Sequence, residues 1–349
     1  PSGRAAAAAP RPGADCDVLD REACGGAECR LRATPLETTE MMVEALRALP
    51  RAAELQAFGC EALRALARQG DEGHARVAAL GGVELALEAL RGHPDEAEVR
   101  RHSTAALETL VCGSPGCLAE AAERGALELL LQRLRLQPTE AELQQHGLAA
   151  LRALTGARPE APAQLAGLGG MEVVLSALRL NLARESVQEH GCAVLSDLAW
   201  AGEEMQERVG SLGGMEVVVK ALQGHAAVAA VQARGCAALQ SLACDRERHR
   251  KRIADLDGIN LVLKALRAFP REEGVQGFGL AALVSLSVHE AEEGSQEAQA
   301  PQEEPRKKQM DQANAVAIAR GAKMAHRLSP NVVRFADLLI EALSKPAKA

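Results

Sequence analysis

The residues best suited to binding chemistry in this 349-residue chain recur at a fixed interval of 44 positions. This interval relates Phe58, His102, His146, His190, Arg234 and Phe278. Imidazole and guanidinium groups form hydrogen bonds with carboxylates and main-chain oxygens. These six positions, the histidine column, therefore predict either a surface that contacts a partner, with His190 and Arg234 meeting acidic or polar groups, or packed polar spacers between neighbouring helices. The residue types leave both interpretations open.

Metal binding and catalysis fit this spacing poorly. Helices that pack side by side lie about 8–10 Å apart, whereas a zinc–nitrogen bond measures about 2.0–2.1 Å, so histidines on successive helices could hardly share an ion. The same spacing argues against a disulfide between Cys192 and Cys236, and the nine cysteines lack paired spacing, which indicates reduced thiols. The sequence has no phosphate-binding loop, no GxSxG nucleophile and no HExxH pair. We expect no metal, no cofactor and no enzymatic activity.

Two further columns keep the same period and indicate an internal repeat. The small-residue column contains Gly59, Ser103, Gly147, Gly191, Gly235 and Gly279. The turn column contains Gly81, Gly125, Gly169, Gly213 and Asp257. Glycine in the turn column suits the end of a helix followed by a sharp turn. A recurrent small residue inside a helix predicts that a second helix approaches closely.

Each repeat contains three helical patterns: a short helix that ends at the turn column, a second helix, and a longer third helix. In one third helix, apolar or small residues form a single stripe at Val187, Gly191, Val194, Leu195 and Leu198. Aromatic residues make up 1% of the chain, so the core must be built from Ala, Leu and Val. The predicted fold is all-α, a solenoid of about six 44-residue three-helix repeats with partial ends.

This order of helices at this period resembles the armadillo repeat family. The segments VQEHGCAVL (187–195) and LGGMEVV (212–218) are especially similar to that family, and they also resemble the armadillo region of leucine-rich repeat kinases and related protist proteins. The resemblance covers residues 37–288 well and the rest weakly. It implies a right-handed superhelix whose third helices line a concave binding surface.

In nuclear-import armadillo proteins, the third helix carries a Trp and, four residues later, an Asn, which bind an extended basic peptide. The positions matching that Trp are Glu61, Ala105, Ala149, Ala193, Ala237 and Ala281. The positions matching that Asn are Ala65, Thr109, Ala153, Asp197, Ser241 and Ser285. Because neither set contains the family residue, import-receptor function is disfavoured, and a groove floor of Ala and Ser is predicted. Asp197 and Ser241 join the histidine column as candidate partner contacts.

Three other features carry predictions. A glutamine column, interpreted as a side-chain ladder that links repeats, contains Gln56, Arg100, Gln144, Gln188, Gln232 and Gln276. Trp200 is either an interface anchor or a large residue that covers the end of the core. The basic run from Arg246 to Arg252 is interpreted as a solvated helix face. We expect it to be neutralised largely by Asp245, Glu247, Asp255 and Asp257.

The sequence divides into four predicted segments. Residues 1–34 form a disordered or poorly structured Ala/Pro-rich tail, and residues 35–288 form the solenoid. Residues 289–308 form a disordered Glu/Gln/Pro-rich insertion, and residues 309–345 form a helical C-terminal cap. The match of Arg124-Gly125-Ala126 with Arg320-Gly321-Ala322 suggests that the cap is a displaced last repeat.

The expected function is that of a non-catalytic scaffold that binds a protein partner in the groove of the third helices. Two alternatives stay open: a regulatory armadillo segment of a larger kinase-like protein, and a structural subunit of a cytoskeletal or axonemal assembly. A net charge of −7 argues against nucleic-acid binding, and no apolar run reaches the roughly 18 residues that span a bilayer. We expect no small-molecule substrate. Reduced cysteines favour a cytoplasmic location, although the chain begins at Pro1 and a targeting segment can be missing.

Overall fold

The computed structural model describes residues 35–287 and 300–344, and every regular element in these two ranges is an α-helix. The chain forms two compact units, Pro1–Cys117 and Leu118–Ala349. The first unit contains α1 (Pro35–Ala48), α2 (Ala53–Ala67), α3 (Asp71–Ala79), α4 (Gly82–Gly92) and α5 (Ala97–Gly113). Helix α6 (Pro115–Glu123) spans the boundary.

The second unit contains the remaining helices. They are α7 (Ala126–Leu136), α8 (Ala141–Gly156), α9 (Ala161–Gly167), α10 (Gly170–Leu180), α11 (Glu185–Trp200), α12 (Glu203–Ser211), α13 (Gly214–Gly224), α14 (Ala229–Ala243), α15 (Glu247–Asp255), α16 (Gly258–Ala268), α17 (Glu273–Ser287), α18 (Ala300–Gln312), α19 (Ala315–Ala325) and α20 (Pro330–Ser344). In the described residues, α1 and α2 precede consecutive triplets of first, second and third helices, from α3–α5 to α18–α20. The predicted all-α fold of three-helix repeats is confirmed.

The turn column places a left-handed residue immediately before each of the second helices α4, α7, α10, α13 and α16. The backbone φ angle is 73° at Gly81, 74° at Gly125 and 82° at Gly213. Glycine adopts this conformation without a steric penalty. Asp257 adopts it with φ 64°, and its Oδ1 accepts a hydrogen bond of 2.6 Å from Nδ2 of Asn260. The predicted sharp turn between the first and second helices is confirmed.

The small-residue column marks the contact between the second and third helices of one triplet. A Cβ atom placed on Gly147 or on Gly235 would lie 2.5 Å from Cδ2 of Leu134 or Leu222, respectively. Such a distance is far shorter than any normal carbon–carbon contact. The predicted close approach of helices is confirmed, and residues 44 positions apart lie in equivalent surroundings.

The glutamine column does not link repeats, and that prediction is wrong. Nε2 of Gln188 donates to the main-chain oxygens of Leu178 and Asn181, at 2.9 and 3.0 Å. Both acceptors lie at the C-terminal end of α10, the second helix of the same triplet. Glutamine satisfies carbonyls that the last helical turn leaves without a partner. The same pair of bonds is made by Gln56, Gln144, Gln232 and Gln276.

Successive triplets are linked instead by residues at the C-terminal ends of second helices. Nδ2 of Asn181 donates to the main-chain oxygen of Pro138, at 2.8 Å. Nε2 of His225 lies 2.8 Å from the main-chain oxygen of Leu182. Each bond joins the end of one second helix to the loop that follows the second helix of the preceding triplet. These residues recur at the 44-residue period, so they form the ladder that was predicted for glutamine.

Arginine side chains make a second link between triplets. In the last turn of α10, Nη2 of Arg179 donates to the main-chain oxygen of Leu212, at 2.8 Å. In the last turn of α7, Nη2 of Arg135 donates to that of Leu168, at 2.7 Å. Each acceptor ends the first helix of the next triplet, where a cation also suits the helix dipole.

The C-terminal triplet differs from the prediction in two respects. Asn314, with φ 58°, occupies the turn position before α19, whereas Gly321 lies inside α19, so the predicted match of Gly321 with Gly125 is wrong. Residues 300–308, predicted to be disordered, belong to α18. This helix forms because Met310 is buried in the core and Arg306 is buried in an ion pair with Glu247. Residues 289–299 and 1–34 lie outside the described residues.

No single helix in the two described ranges is long and apolar enough to cross a bilayer. Helices α9 and α10 taken together are long and apolar enough, but the chain bends by 75° between them.

Candidate functional site

The candidate site is the solvent-accessible side of the third helices in the second unit. Helices α8, α11, α14 and α17 pack side by side in that order. On α11, the accessible or half-buried residues that share one stripe are Ser186, Glu189, His190, Asp197 and Trp200. Between them the surface is floored by Ala193, and the neighbouring helices contribute Ala149 and Ala237 in the same column. These positions thus hold small, buried residues, and we call this face the third-helix surface.

Four charged side chains of three neighbouring helices interact on this surface. Nε of Arg152 on α8 lies 3.4 Å from Oδ2 of Asp197 on α11. Arg234 on α14 interacts electrostatically with both members of this pair, and Glu189 on α11 interacts electrostatically with Arg234. These four residues form the charged cluster of the third-helix surface.

The environment of the cluster shifts two pKa values. Burial raises the pKa of Asp197, and the charges of Arg152 and Arg234 oppose that shift. Burial also lowers the pKa of Arg234, and the nearby Arg152 cation lowers it further, whereas Glu189 and Asp197 act in the opposite direction. Burial thus disfavours the charged form of both groups, because their charges are incompletely solvated.

The histidine column lies along the third helices, as predicted, but its members differ in their contacts. In the first unit, Nδ1 of His102 lies 2.9 Å from Oε2 of Glu61, and Nε2 lies 3.3 Å from Oε2 of Glu98. His102 therefore acts as a polar spacer between α2 and α5. Phe58 in the same unit is exposed. In the second unit, half-buried positions are occupied by His146, His190, Arg234 and Phe278.

Trp200 and Ser241 have clear positions. Trp200, the last residue of α11, is 56% exposed, so more than half of its surface is accessible to a partner. Ser241 is 1% exposed, and its hydroxyl donates to the main-chain oxygen of Ala238, at 3.1 Å. The prediction that Ser241 belongs to the accessible surface is wrong. The accessible stripe of α14 passes through Gln240 instead.

The basic run lies at the N-cap of α15 and along this first helix of its triplet, and it is paired across triplets. Arg248 pairs with Glu207, at 3.2 Å, and Nη2 of Arg252 with Glu216, at 2.6 Å. Glu207 belongs to α12 and Glu216 to α13, so acids of the preceding triplet contribute to the neutralisation that was assigned to neighbouring residues of the run. Arg250 is buried, and its Nε donates to the main-chain oxygen of Ala243, at 2.9 Å. The run is therefore only partly a solvated face.

A shallow cleft of about 360 Å³ adjoins this run. Its lining includes Glu207, Ser211, Glu216, Lys251 and Arg252. The two arginine–glutamate pairs described above lie in this lining, so these four charges already have partners. No group of three or more His, Cys, Asp or Glu side chains in the described ranges is arranged to hold a metal ion. Burial raises the pKa of the Cys192 thiol to about 12, so this thiol is not a nucleophile near neutral pH.

Arg152 and Glu189 were missed at the level of sequence. Arg152 is adjacent to the column of Asp197, 45 positions before that residue, so the two face each other across neighbouring repeats. A search for opposite charges in adjacent columns would have found this pair. Glu189 precedes His190 on the same stripe, and it received no attention because a single carboxylate on a helix is common.

Comparison with solved structures identifies the architecture. A designed armadillo repeat protein is 23% identical, with a TM-score of 0.58, and the match covers 71% of this chain and 99% of the designed one. The fold is armadillo-like. A second designed armadillo repeat protein, solved in complex with the peptide (KR)4, is 20% identical over 71% of this chain and 99% of its own, with a TM-score of 0.57.

A natural armadillo-like neighbour comes from a structure that concerns a phosphorylation switch controlling the interaction between cadherin and beta-catenin. It is 17% identical, with a TM-score of 0.68, and the match covers 90% of this chain and 55% of that chain. No protein-family model and no curated protein sequence matches the chain. Identities at this level establish the armadillo-like fold alone.

Proposed function

We propose that this protein is a non-catalytic scaffold that binds a protein partner in a concave groove formed by its third helices. The observation that carries the proposal is the charged cluster of Arg152, Glu189, Asp197 and Arg234, which lies on an alanine floor beside the exposed Trp200. Small floor residues let a partner backbone approach closely. A half-buried cluster and an exposed indole supply direction and anchoring.

Two kinds of observation support binding over catalysis. Similar armadillo-like structures include a designed protein in complex with a peptide and a chain from work on the cadherin–beta-catenin interaction. The charged cluster, in contrast, consists of two arginines and two carboxylates and contains no Ser, Cys or His. Asp197 is held by Arg152 and is not set against a second acid. The arrangement can orient a bound chain but offers no acid–base pair for a reaction.

The broader assignment leaves the cellular setting as part of the proposal. We place the protein in the cytoplasm because the buried Cys60, Cys192 and Cys236 are free thiols. The alternatives of a regulatory segment in a larger kinase-like protein and of a cytoskeletal or axonemal subunit use the same surface. They differ in whether the reading frame continues into a catalytic domain. Mapping the full reading frame separates them.

The surface can be tested by site-specific photo-crosslinking in cells. A benzophenone amino acid replaces Trp200, which is exposed on the third-helix surface, or Arg248, whose side chain is 81% exposed on α15. We expect a defined crosslinked protein from position 200 and not from position 248. The triple substitution of His146, His190 and Arg234 by Ala should then weaken that partner. Equal crosslinking from both positions, or unchanged affinity of the triple variant, would contradict the proposal.

A further inference from the structure

The charged cluster contains one cation that lacks a direct partner. Within the described ranges, the guanidinium of Arg234 forms no ion pair within 4.0 Å and donates no hydrogen bond. Two other arginines of the second unit, in contrast, are paired: Arg152 with Asp197, and Arg248 with Glu207. Arg234 is nevertheless half-buried on α14, between the positions of His190 and Phe278 in the histidine column.

The charges around Arg234 do not neutralise it. Asp197 is already held by Arg152 at 3.4 Å, and Arg152 acts on Arg234 as a second, repelling cation. Glu189 is the remaining acid that acts on Arg234, and it approaches no closer than the limit for an ion pair. Arg152 and Arg234 thus flank one carboxylate, and one planar guanidinium fork stays available.

We propose that Arg234 binds an acidic side chain of the bound partner by donating hydrogen bonds to its carboxylate, so that the partner presents a carboxylate-bearing segment to α11 and α14. This inference rests on the proposed function. A guanidinium presents its donors in a fork that matches the two oxygens of a carboxylate, and a bidentate contact is directional as well as strong. Because Arg234 is already partly removed from water, little further desolvation of the arginine opposes the contact.

The charged groups next to Arg234 set its specificity for the side chain that it binds. A basic side chain at the same place would meet the cations of both Arg152 and Arg234, and like charges at this range disfavour binding. A neutral amide would leave the guanidinium without a counter-charge. Arg234 and its neighbours therefore favour a carboxylate over an amide and an amide over an ammonium group.

Matched peptides test this order. The probes are fluorescein-labelled, C-terminally amidated octapeptides in which Ala alternates with Glu, with Gln or with Lys. Binding to the full chain is measured by fluorescence anisotropy at low ionic strength and again at about 0.15 M salt. We expect the Glu peptide to bind about tenfold more tightly than the Gln peptide, and the Lys peptide to bind most weakly.

Substitutions then assign the effect to one side chain. Arg234→Met should reduce the affinity for the Glu peptide about tenfold and bring it to that of the Gln peptide, whereas Arg234→Lys should retain charge attraction but lose part of the preference. The matched control is Arg248→Met, since Arg248 lies on α15, pairs with Glu207 and takes no part in the charged cluster; it should leave all three affinities unchanged. Equal unfolding temperatures of the variants show that the fold is intact.

Trp200→Ala distinguishes failure of the proposal for Arg234 from failure of the proposed binding surface. If Trp200→Ala weakens binding of all three peptides and Arg234→Met leaves binding of the Glu peptide unaffected, the third-helix surface binds peptides and the role proposed for Arg234 is wrong. If neither substitution changes any affinity, the proposed function fails together with the inference. Tighter binding of the Lys peptide than of the Glu peptide also overturns the inference.

Discussion

At Gly191, the side chain of Leu178 fills the space that any side chain on residue 191 would need. A Cβ atom at Gly191 would lie 2.5 Å from Cδ2 and 2.7 Å from Cγ of Leu178. Leu178 is itself fully buried, so its side chain has no free space into which it could move. Glycine in the middle of α11 therefore allows α10 and α11 to pack at this separation, and the cost in helix propensity is accepted at each repeat that keeps it.

Replacing Gly191 by Ala should destabilise the protein by about 1–2 kcal/mol. Overpacking in a well-filled core costs about 1–3 kcal/mol, and the better helix propensity of Ala returns up to about 1 kcal/mol. The matched control is Gly321→Ala, since Gly321 also lies inside a helix but has nothing within 4 Å of its Cβ position. This control should be stabilised by about 0.5–1 kcal/mol. Urea unfolding measures both, and equal effects of the two substitutions would contradict the contact.

The glutamine column provides a second test of stability. Gln144 is fully buried, and its Nε2 donates to the main-chain oxygens of Leu134 and Gln137, at 2.9 Å each. Gln144→Met removes both bonds and keeps the length of the side chain, so it should cost about 1–2 kcal/mol. The loss is limited because the Oε1 of Gln144 has no partner, and the substitution removes that unsatisfied acceptor as well.

The neighbouring Gln145 is the control for this substitution. It lies on the same helix, is half-buried, and takes no part in capping α7. Gln145→Met should change the free energy of unfolding by less than about 0.5 kcal/mol. If the two substitutions have the same effect in urea unfolding, the amide of Gln144 does not stabilise the end of α7.

The repeat period predicted most of the fold because helix contacts are local and recur. Gly147 and Gly235 contact leucines of their own triplets, so equal spacing in the sequence produces equal surroundings. The direction of a polar side chain is not contained in the period. Gln188 and His225 both recur at 44 residues, yet Gln188 bonds within its triplet and His225 bonds to the preceding one.

The candidate site was predicted only in part for a related reason. The third-helix stripe follows from helical periodicity, and Asp197 and Arg234 were placed on it correctly. Ser241 was not, because a small rotation between neighbouring columns decides whether a residue faces the surface or the interior. Arg152 was missed because its interaction with Asp197 is made between helices and depends on the packing of α8 against α11.

His249 should make the protein less stable as the solution becomes acidic. Burial lowers its pKa, and the cations of Arg246 and Arg248 act in the same direction, whereas the hydrogen bond to the Leu242 oxygen and the charge of Glu207 oppose them. The folded state thus binds the proton more weakly than the unfolded state, whose pKa is about 6.5. The full stability is present above about pH 6.5 and is lost as the pH falls toward and through the folded pKa.

Urea unfolding between pH 7.5 and pH 5 measures this contribution. His249→Gln retains a donor that can reach the oxygen of Leu242 but cannot take up a proton. The variant should lose less stability on acidification than the unsubstituted protein does. An unchanged pH dependence would show that other groups cause it, and burial of His249 would then not be linked to proton uptake.

The ion pair between Glu247 and Arg306 should hold the C-terminal triplet in place. Nη1 of Arg306 lies 2.7 Å from Oε1 of Glu247, and Nη2 lies 3.1 Å from Oε2, in a contact where Arg306 is only 5% exposed. Arg306→Met removes both of these contacts, while the ion pair of Glu247 with Arg250, at 3.6 Å, remains. Because the half-buried carboxylate of Glu247 then loses its two-oxygen contact with a guanidinium, we expect a loss of about 2–3 kcal/mol.

A double-mutant cycle separates the pair from the surrounding packing. The combined variant Glu247→Met and Arg306→Met should be more stable than the sum of the two single losses predicts, since neither member of the Glu247–Arg306 pair is then left without the other. Arg250 loses Glu247 in the single Glu247→Met variant and in the double variant alike, so that loss cancels in the cycle. Hydrogen exchange gives the location: amides of α18–α20 should lose protection in Arg306→Met, while those of α8–α11 keep theirs. Additive single losses, or a uniform fall in protection across the second unit, would mean that Arg306 contributes through its packing and that its charge does not anchor α18 to α15.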